Sequence, residues 1–121
     1  MRLNNQKIYE HAQNLSVFNN CNMKMPVRIN FYLQKNIQLI HEAAEEIERA
    51  RFGIGAQFGA PNEEGTGYNI PAENMSEANR ELNDLFNLEQ DINIHIFKLD
   101  DFDGIELDYQ QMSAIMFMIE E

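Results

Sequence analysis

Residues 25–58 read MPVRINFYLQKNIQLIHEAAEEIERARFGIGAQF, and this stretch decides the fold. Leu33, Ile37, Ile40, Ala44, Ile47, Arg51, Ile54 and Phe58 follow one another in alternating steps of four and three residues. That spacing traces one face of an α-helix. Only Arg51 breaks the apolar series, and an arginine stem can lie along an apolar surface. Glu42, Glu45, Glu46, Glu48 and Arg49 occupy the opposite side. Pro26 suits the first helical turn, where its missing N–H costs nothing. The pattern predicts one long amphipathic helix over about 28–56. Val27, Ile29 and Phe31 also alternate like a strand, so the first turns carry two signals. Gly53, Gly55 and Gly59 weaken the far end by about 1 kcal/mol each relative to alanine.

Shorter elements flank this helix. A short strand is expected at Met1–Leu3. Ile8, Ala12 and Leu15 sit at helical spacing behind Asn5, a candidate N-cap, and the run Asn19-Asn20-Cys21-Asn22 is expected to end that first helix. Residues 59–71, including Ala60-Pro61-Asn62-Glu63-Glu64-Gly65-Thr66-Gly67, predict a mobile loop. Ser76 is a candidate cap for a further helix whose stripe is Ala78, Leu82, Leu85 and Phe86. Ile92, Ile94 and Ile96 at period two predict a strand at about 92–97. Its partner would be Met1–Leu3, Gly67–Ile70 or a second subunit. Asp108 with Gln111 matches a capping box and opens a terminal helix with Met112, Ile115, Met116 and Ile119 facing inward. The expectation is one α+β domain over 1–121, mostly helical, with two or three shorter helices and a very small β-sheet.

The chain has 121 residues and a formal net charge of −11. Residues 1–41 hold Arg2, Lys7, Lys24, Arg28 and Lys35 against Glu10 alone. Beyond residue 41 only Arg49, Arg51, Arg80 and Lys98 offset all the remaining acids. Such a surface repels phosphates and attracts basic surfaces, which argues against direct binding of nucleic acid. No apolar run approaches the roughly 18 residues that a membrane span requires, and the first residues lack a signal-peptide pattern. The lone Cys21 makes no internal disulfide. The expected setting is the cytoplasm.

Few residues suggest chemistry. Asp100-Asp101-Phe102-Asp103-Gly104-Ile105-Glu106 invites a calcium reading. An EF-hand loop with Gly104 at its sixth position would begin at Leu99 and end at Gln110, where carboxylates are required. The run instead reads as a solvated loop, its later acids suiting the dipole of the next helix. His11, His41 and His95 are dispersed; His41 has Glu45 four residues on, but two ligands on one helix do not make a zinc site. Cys21 has no CxxC partner. Gly53-Ile54-Gly55 with Gly59 is no dinucleotide fingerprint, and no P-loop, GxSxG or HExxH occurs. The expectation is therefore no enzyme, no metal and no cofactor. The acids Glu42, Glu45, Glu46, Glu48, Glu63, Glu64, Asp100, Asp101, Asp103, Glu106 and Asp108 are the candidate contact to a basic protein partner. Met112, Met116, Met118 and Phe117 are a second candidate, an adaptable apolar contact.

Several segments occur in a familiar order: Met1-Arg2-Leu3-Asn4-Asn5-Gln6, Met25-Pro26-Val27-Arg28-Ile29, Lys35-Asn36 and Glu45-Glu46-Ile47-Glu48-Arg49-Ala50-Arg51. Asn79-Arg80-Glu81-Leu82-Asn83-Asp84-Leu85-Phe86-Asn87 and Ile92–Ile96 follow them. In this order the chain resembles a family of small proteins encoded by tailed phages and prophages of Gram-positive bacteria. It departs from that pattern in the asparagine-rich 19–22 and in the glycine-rich end of the long helix. The resemblance carries no catalytic residues. It implies a binding role, either an acidic, anti-CRISPR-like inhibitor of a host nucleic-acid-binding defence protein or an assembly factor that binds a virion protein. Self-association is a third reading, since a second copy would complete both the long helix and the lone strand.

Overall fold

A computed structural model describes residues 1–19 and 24–120. The elements run β1 (Arg2–Asn4), α1 (Asn5–Asn14), α2 (Val27–Phe58), β2 (Ala60–Pro61), β3 (Tyr68–Asn69), α3 (Ala72–Asn87), β4 (Glu89–Asp91), β5 (Phe97–Lys98), α4 (Tyr109–Ile115) and β6 (Ile119–Glu120). Short 3-10 turns cover Leu15–Phe18, Leu99–Phe102 and Met116–Met118. The fold is mostly helical α+β, with α2 as its spine. Its strands form three separate pairs: β1 with β4 and β2 with β3 antiparallel, and β5 with β6 parallel.

The periodicity of α2 translates directly into burial. Ile29, Leu33, Ile37, Ile40, Ala43, Ala44 and Ile47 are buried, and α1, the segment 92–102 and the C-terminal residues pack over them. The ambiguous first turns are helical, which puts Ile29 inside and leaves Val27 and Phe31 exposed. Pro26 occupies the cap position immediately before the helix. The glycines do not end α2 before Phe58, because Gly55 is buried where the Tyr68 ring approaches and Gly59 lies against the Asn69 backbone. Arg51 turns outward, bonds Glu48 and lies 5.7 Å from the Phe52 ring centre.

Several boundaries differ from the sequence expectation. The N-cap of α1 is Asn4, whose Oδ1 accepts from the Lys7 amide at 2.7 Å. Asn5 is buried instead: its amide group donates to Leu85 O and accepts from Gln90, and its backbone N–H donates to Leu88 O. Asn19 follows the turn that closes this helix, while Asn20, Cys21 and Asn22 lie outside the described residues. Residues 59–71 form a hairpin, with Ala60 opposite Asn69 and Pro61 opposite Tyr68. Asn62 knits its turn by accepting from the Thr66 and Gly65 amides and donating to Gly67 O. α3 starts at Ala72, straight after Pro71, so Ser76 lies within the helix and caps nothing.

The expected strand at 92–97 is the clearest correction. Met1 and Ile92 exchange two hydrogen bonds of 2.8 Å, continuing the β1–β4 pair, but the ladder stops there. The Ile94 amide folds back onto Ile92 O, a three-residue turn centred on Asn93. Beyond it, among the described residues, no strand receives the His95 backbone; the buried side chain of Asn36 does. Asn36 Oδ1 accepts from His95 N at 2.8 Å, and its Nδ2 donates to His95 O at 2.9 Å. One amide side chain thus imitates a strand neighbour. The turn also shifts the phase, so Ile92, Ile94 and Phe97 are buried while Ile96 is exposed.

The Asp108–Gln111 capping box forms as expected. The terminal helix then tightens at Met116 into a 3-10 turn, which rotates the inward position. Ile115 and Met118 are fully buried, Met112 and Ile119 are half-buried, and Met116, expected inside, is exposed.

Candidate functional site

The acids named from the sequence fall into three places. Glu42, Glu45 and Glu46 stand exposed in the middle of α2. Glu48, on the same helix, turns toward α1, where it accepts from the Tyr9 hydroxyl at 2.5 Å and from Arg51 at 3.1 Å. That hydroxyl bond is the main reason the Glu48 carboxyl sits below its usual range and the Tyr9 phenol above its own. Glu48 is therefore an α1–α2 tie. Glu63 and Glu64 occupy the tip of the hairpin beyond the C-terminus of α2.

Asp100, Asp101, Asp103, Glu106 and Asp108 lie toward the other end. Asp101 approaches Arg28, at the start of α2, to 3.9 Å and accepts from the Lys98 amide. Asp108 spends its carboxylate on the Gln111 amide as a helix cap. Asp100, Asp103 and Glu106 are exposed. Gly104 adopts the left-handed conformation, with φ of 80°, in the loop that follows the 3-10 turn. Arg28 and Phe58 are separated by 30 residues of α2. At about 1.5 Å per residue the two acidic ends stand roughly 45 Å apart. The expected acids therefore do not form one patch.

The structure adds an acidic tract that the sequence reading missed. Glu73, Glu77, Glu81 and Asp84 are all exposed along α3. Steps of four, four and three residues advance successive acids by about 5–6 Å along the helix. α3 buries only Ala78, and it is tied to the end of α2 by the Asn74 amide donating to Phe58 O at 2.9 Å. None of these four acids has a cationic partner within salt-bridge distance among the described residues, and Arg80 is the one cation on α3. With Glu63 and Glu64 on the neighbouring hairpin, the hairpin–α3 end presents six exposed acids, and Arg80 is the one exposed cation on the same face of α3. The repeat at 73, 77 and 81 was visible in the sequence, but a helix start at Ser76 put Glu73 outside it.

Beside this surface, Arg51, Phe52, Gly55, Tyr68, Ile70 and Leu82 line an open cleft of about 320 Å³. Arg51 is its only charged side chain, and that group already bonds Glu48. Two of the three histidines, His11 and His95, are engaged with aromatic rings. His11 stacks on Phe117 at 3.8 Å, and burial pushes its pKa down, aided by nearby Lys7. His95 stacks on Tyr32 at 3.9 Å. No group of three metal-ligating side chains converges among the described residues. No helix among them is long and apolar enough to cross a membrane.

No protein-family model, curated protein or solved structure matches the chain.

Proposed function

We propose that this chain is a non-enzymatic interaction protein that docks the hairpin–α3 face onto a basic macromolecular surface. The observation that carries this reading is the line of Glu73, Glu77, Glu81 and Asp84, exposed and beyond salt-bridge distance of any cation among the described residues, with Arg80 alone beside them on α3. Isolated surface charges are cheap to keep hydrated. A row of like charges on a helix costs stability, by a few tenths of a kcal/mol for each i,i+4 pair. A basic partner would turn that cost into long-range attraction and fast association. Together with the resemblance to phage proteins, this favours a phage-encoded inhibitor acting in the host cytoplasm. It would occupy the nucleic-acid channel of a host defence protein by imitating spaced phosphates.

The methionine-rich C-terminus offers a virion partner less. Met118 is fully buried and Met112 half-buried, which leaves Met116 as the exposed thioether of that cluster. An assembly role through this helix has a correspondingly smaller contact.

Capture from a Gram-positive host lysate separates the two roles. The immobilised chain should retain a basic nucleic-acid-binding protein at about 50 mM salt and release it by about 200 mM, because screening weakens such contacts steeply. The variant E73Q/E77Q/E81Q/D84N should retain little at either concentration. Capture of virion proteins alone from infected cells, unaffected by salt and by the variant, would overturn the reading.

A further inference from the structure

The side of α2 facing away from the core carries a second stripe that the monomer leaves uncovered. Val27, Phe31, Gln34 and Gln38 follow one another in steps of four, three and four residues, and Glu45, Arg49, Phe52 and Ala56 repeat those steps. All eight are exposed. The mean step, close to 3.6 residues, keeps them in a straight line along the helix. The set is also symmetric about the midpoint between His41 and Glu42: Val27 mirrors Ala56, Phe31 mirrors Phe52, Gln34 mirrors Arg49 and Gln38 mirrors Glu45. A two-fold interface requires this property, that residue i meets j wherever j meets i.

We propose that this stripe receives a second copy of the chain, with the two α2 helices packed antiparallel about a two-fold axis near His41 and Glu42. The apolar residues lie at the two ends of the stripe, so antiparallel packing brings the Val27–Phe31 end of each copy onto the Phe52–Ala56 end of the other. Phe52 would enter the open groove of about 540 Å³ that Val27, Phe31 and Gln38 help to line. A parallel pair would set Glu45 on Glu45 and Arg49 on Arg49, and an antiparallel pair separates both. Lys35 and Glu46 flank the same edge of the stripe, and antiparallel packing faces that edge with itself. Lys35 of each copy then lies beside Glu46 of the other, which offsets the one like-charge approach, Glu42 to Glu42 at the axis. Phe52 adjoins Tyr68 of the hairpin at one end of the stripe, but none of the hairpin or α3 acids belongs to the stripe, so the proposal does not rest on the function proposed above.

Light scattering and directed cross-linking of the full chain test this, with C21S as background. The chain should have twice the monomer mass at about 100 μM, and more of it as salt is raised, since two chains of net charge −11 repel. The salt response is thus opposite to that of the acidic docking face. F31C/F52C should oxidise to a covalent dimer, as should E42C at the axis. F31C alone should not, because its two copies lie roughly 30 Å apart in this register. F31E should be monomeric with unchanged helix content. A monomer at 100 μM, or cross-linking of F31C alone as efficient as that of the pair, would overturn the proposal.

Discussion

The two ends of α2 are held by opposite means. Around its N-terminal half, large apolar side chains meet at full burial: Leu33, Ile40, Phe97, Ile115 and Met118 are each 0% exposed. A single buried polar residue, Asn36, occupies the middle of that contact, where it also donates weakly to Met118 Sδ at 3.4 Å. At the C-terminal end little is buried. Contact there comes from backbone approach, where Gly55 admits the Tyr68 ring and Gly59 admits the Asn69 carbonyl. The first end carries the stability of the fold, and the second presents charge. Binding surfaces are commonly drawn from such lightly buried regions, because their side chains are free of packing duties.

Substitutions at each end should sharpen that contrast. The largest effect is expected at Asn36. Asn36→Leu keeps the volume but strips both hydrogen bonds from the His95 backbone, and each buried group left unpaired costs about 1–3 kcal/mol. A loss of roughly 2–6 kcal/mol in denaturant unfolding is the expected outcome. A change under about 1 kcal/mol would mean that the backbone at 92–96 finds other partners.

Gly55→Ala should cost less, up to about 2 kcal/mol, because overpacking of about 1–3 kcal/mol is offset by the roughly 1 kcal/mol that alanine gains over glycine within a helix. Its new methyl group would meet the Tyr68 ring at 2.7 Å, and a flexible hairpin side chain can yield in part. Hydrogen exchange should show the loss confined to the hairpin and α3. Equal loss of protection across α1 and the first half of α2 would break the distinction between the ends.

The smallest effect concerns pH. The folded pKa of His11 is depressed, mainly by burial against Phe117. The unfolded chain therefore binds a proton first, and stability present above about pH 6.5 is lost as pH falls through the folded value. His11→Phe keeps an aromatic ring on Phe117 and should flatten the stability profile between pH 7 and 5. An unchanged slope would assign that titration elsewhere.

What was legible in the sequence was local. The 33–58 periodicity located α2 to within two residues at each end, because a face of apolar residues at helical spacing has few other uses. The Asp108–Gln111 box was equally legible, its four residues containing both partners. The segment 92–96 was not. Its alternating isoleucines fit a strand, but what replaces the strand is the Asn93 turn and a side chain 59 residues away. Nothing within the segment announces either. The acidic end was half legible: its charges stood in the sequence, while the helix start at Ala72 that aligns Glu73 with Glu77 and Glu81 was hidden by a better-looking cap at Ser76.

The central claim is that the hairpin–α3 acids serve binding while the fold rests on the other end. The variant E73Q/E77Q/E81Q/D84N tests it most directly when its thermal melt is measured beside its capture of a basic host protein. The account predicts a melting temperature equal to that of the parent or slightly higher, since like charges at i,i+4 spacing are removed, together with lost capture. A melting temperature lowered by several degrees, or undiminished capture, would contradict it.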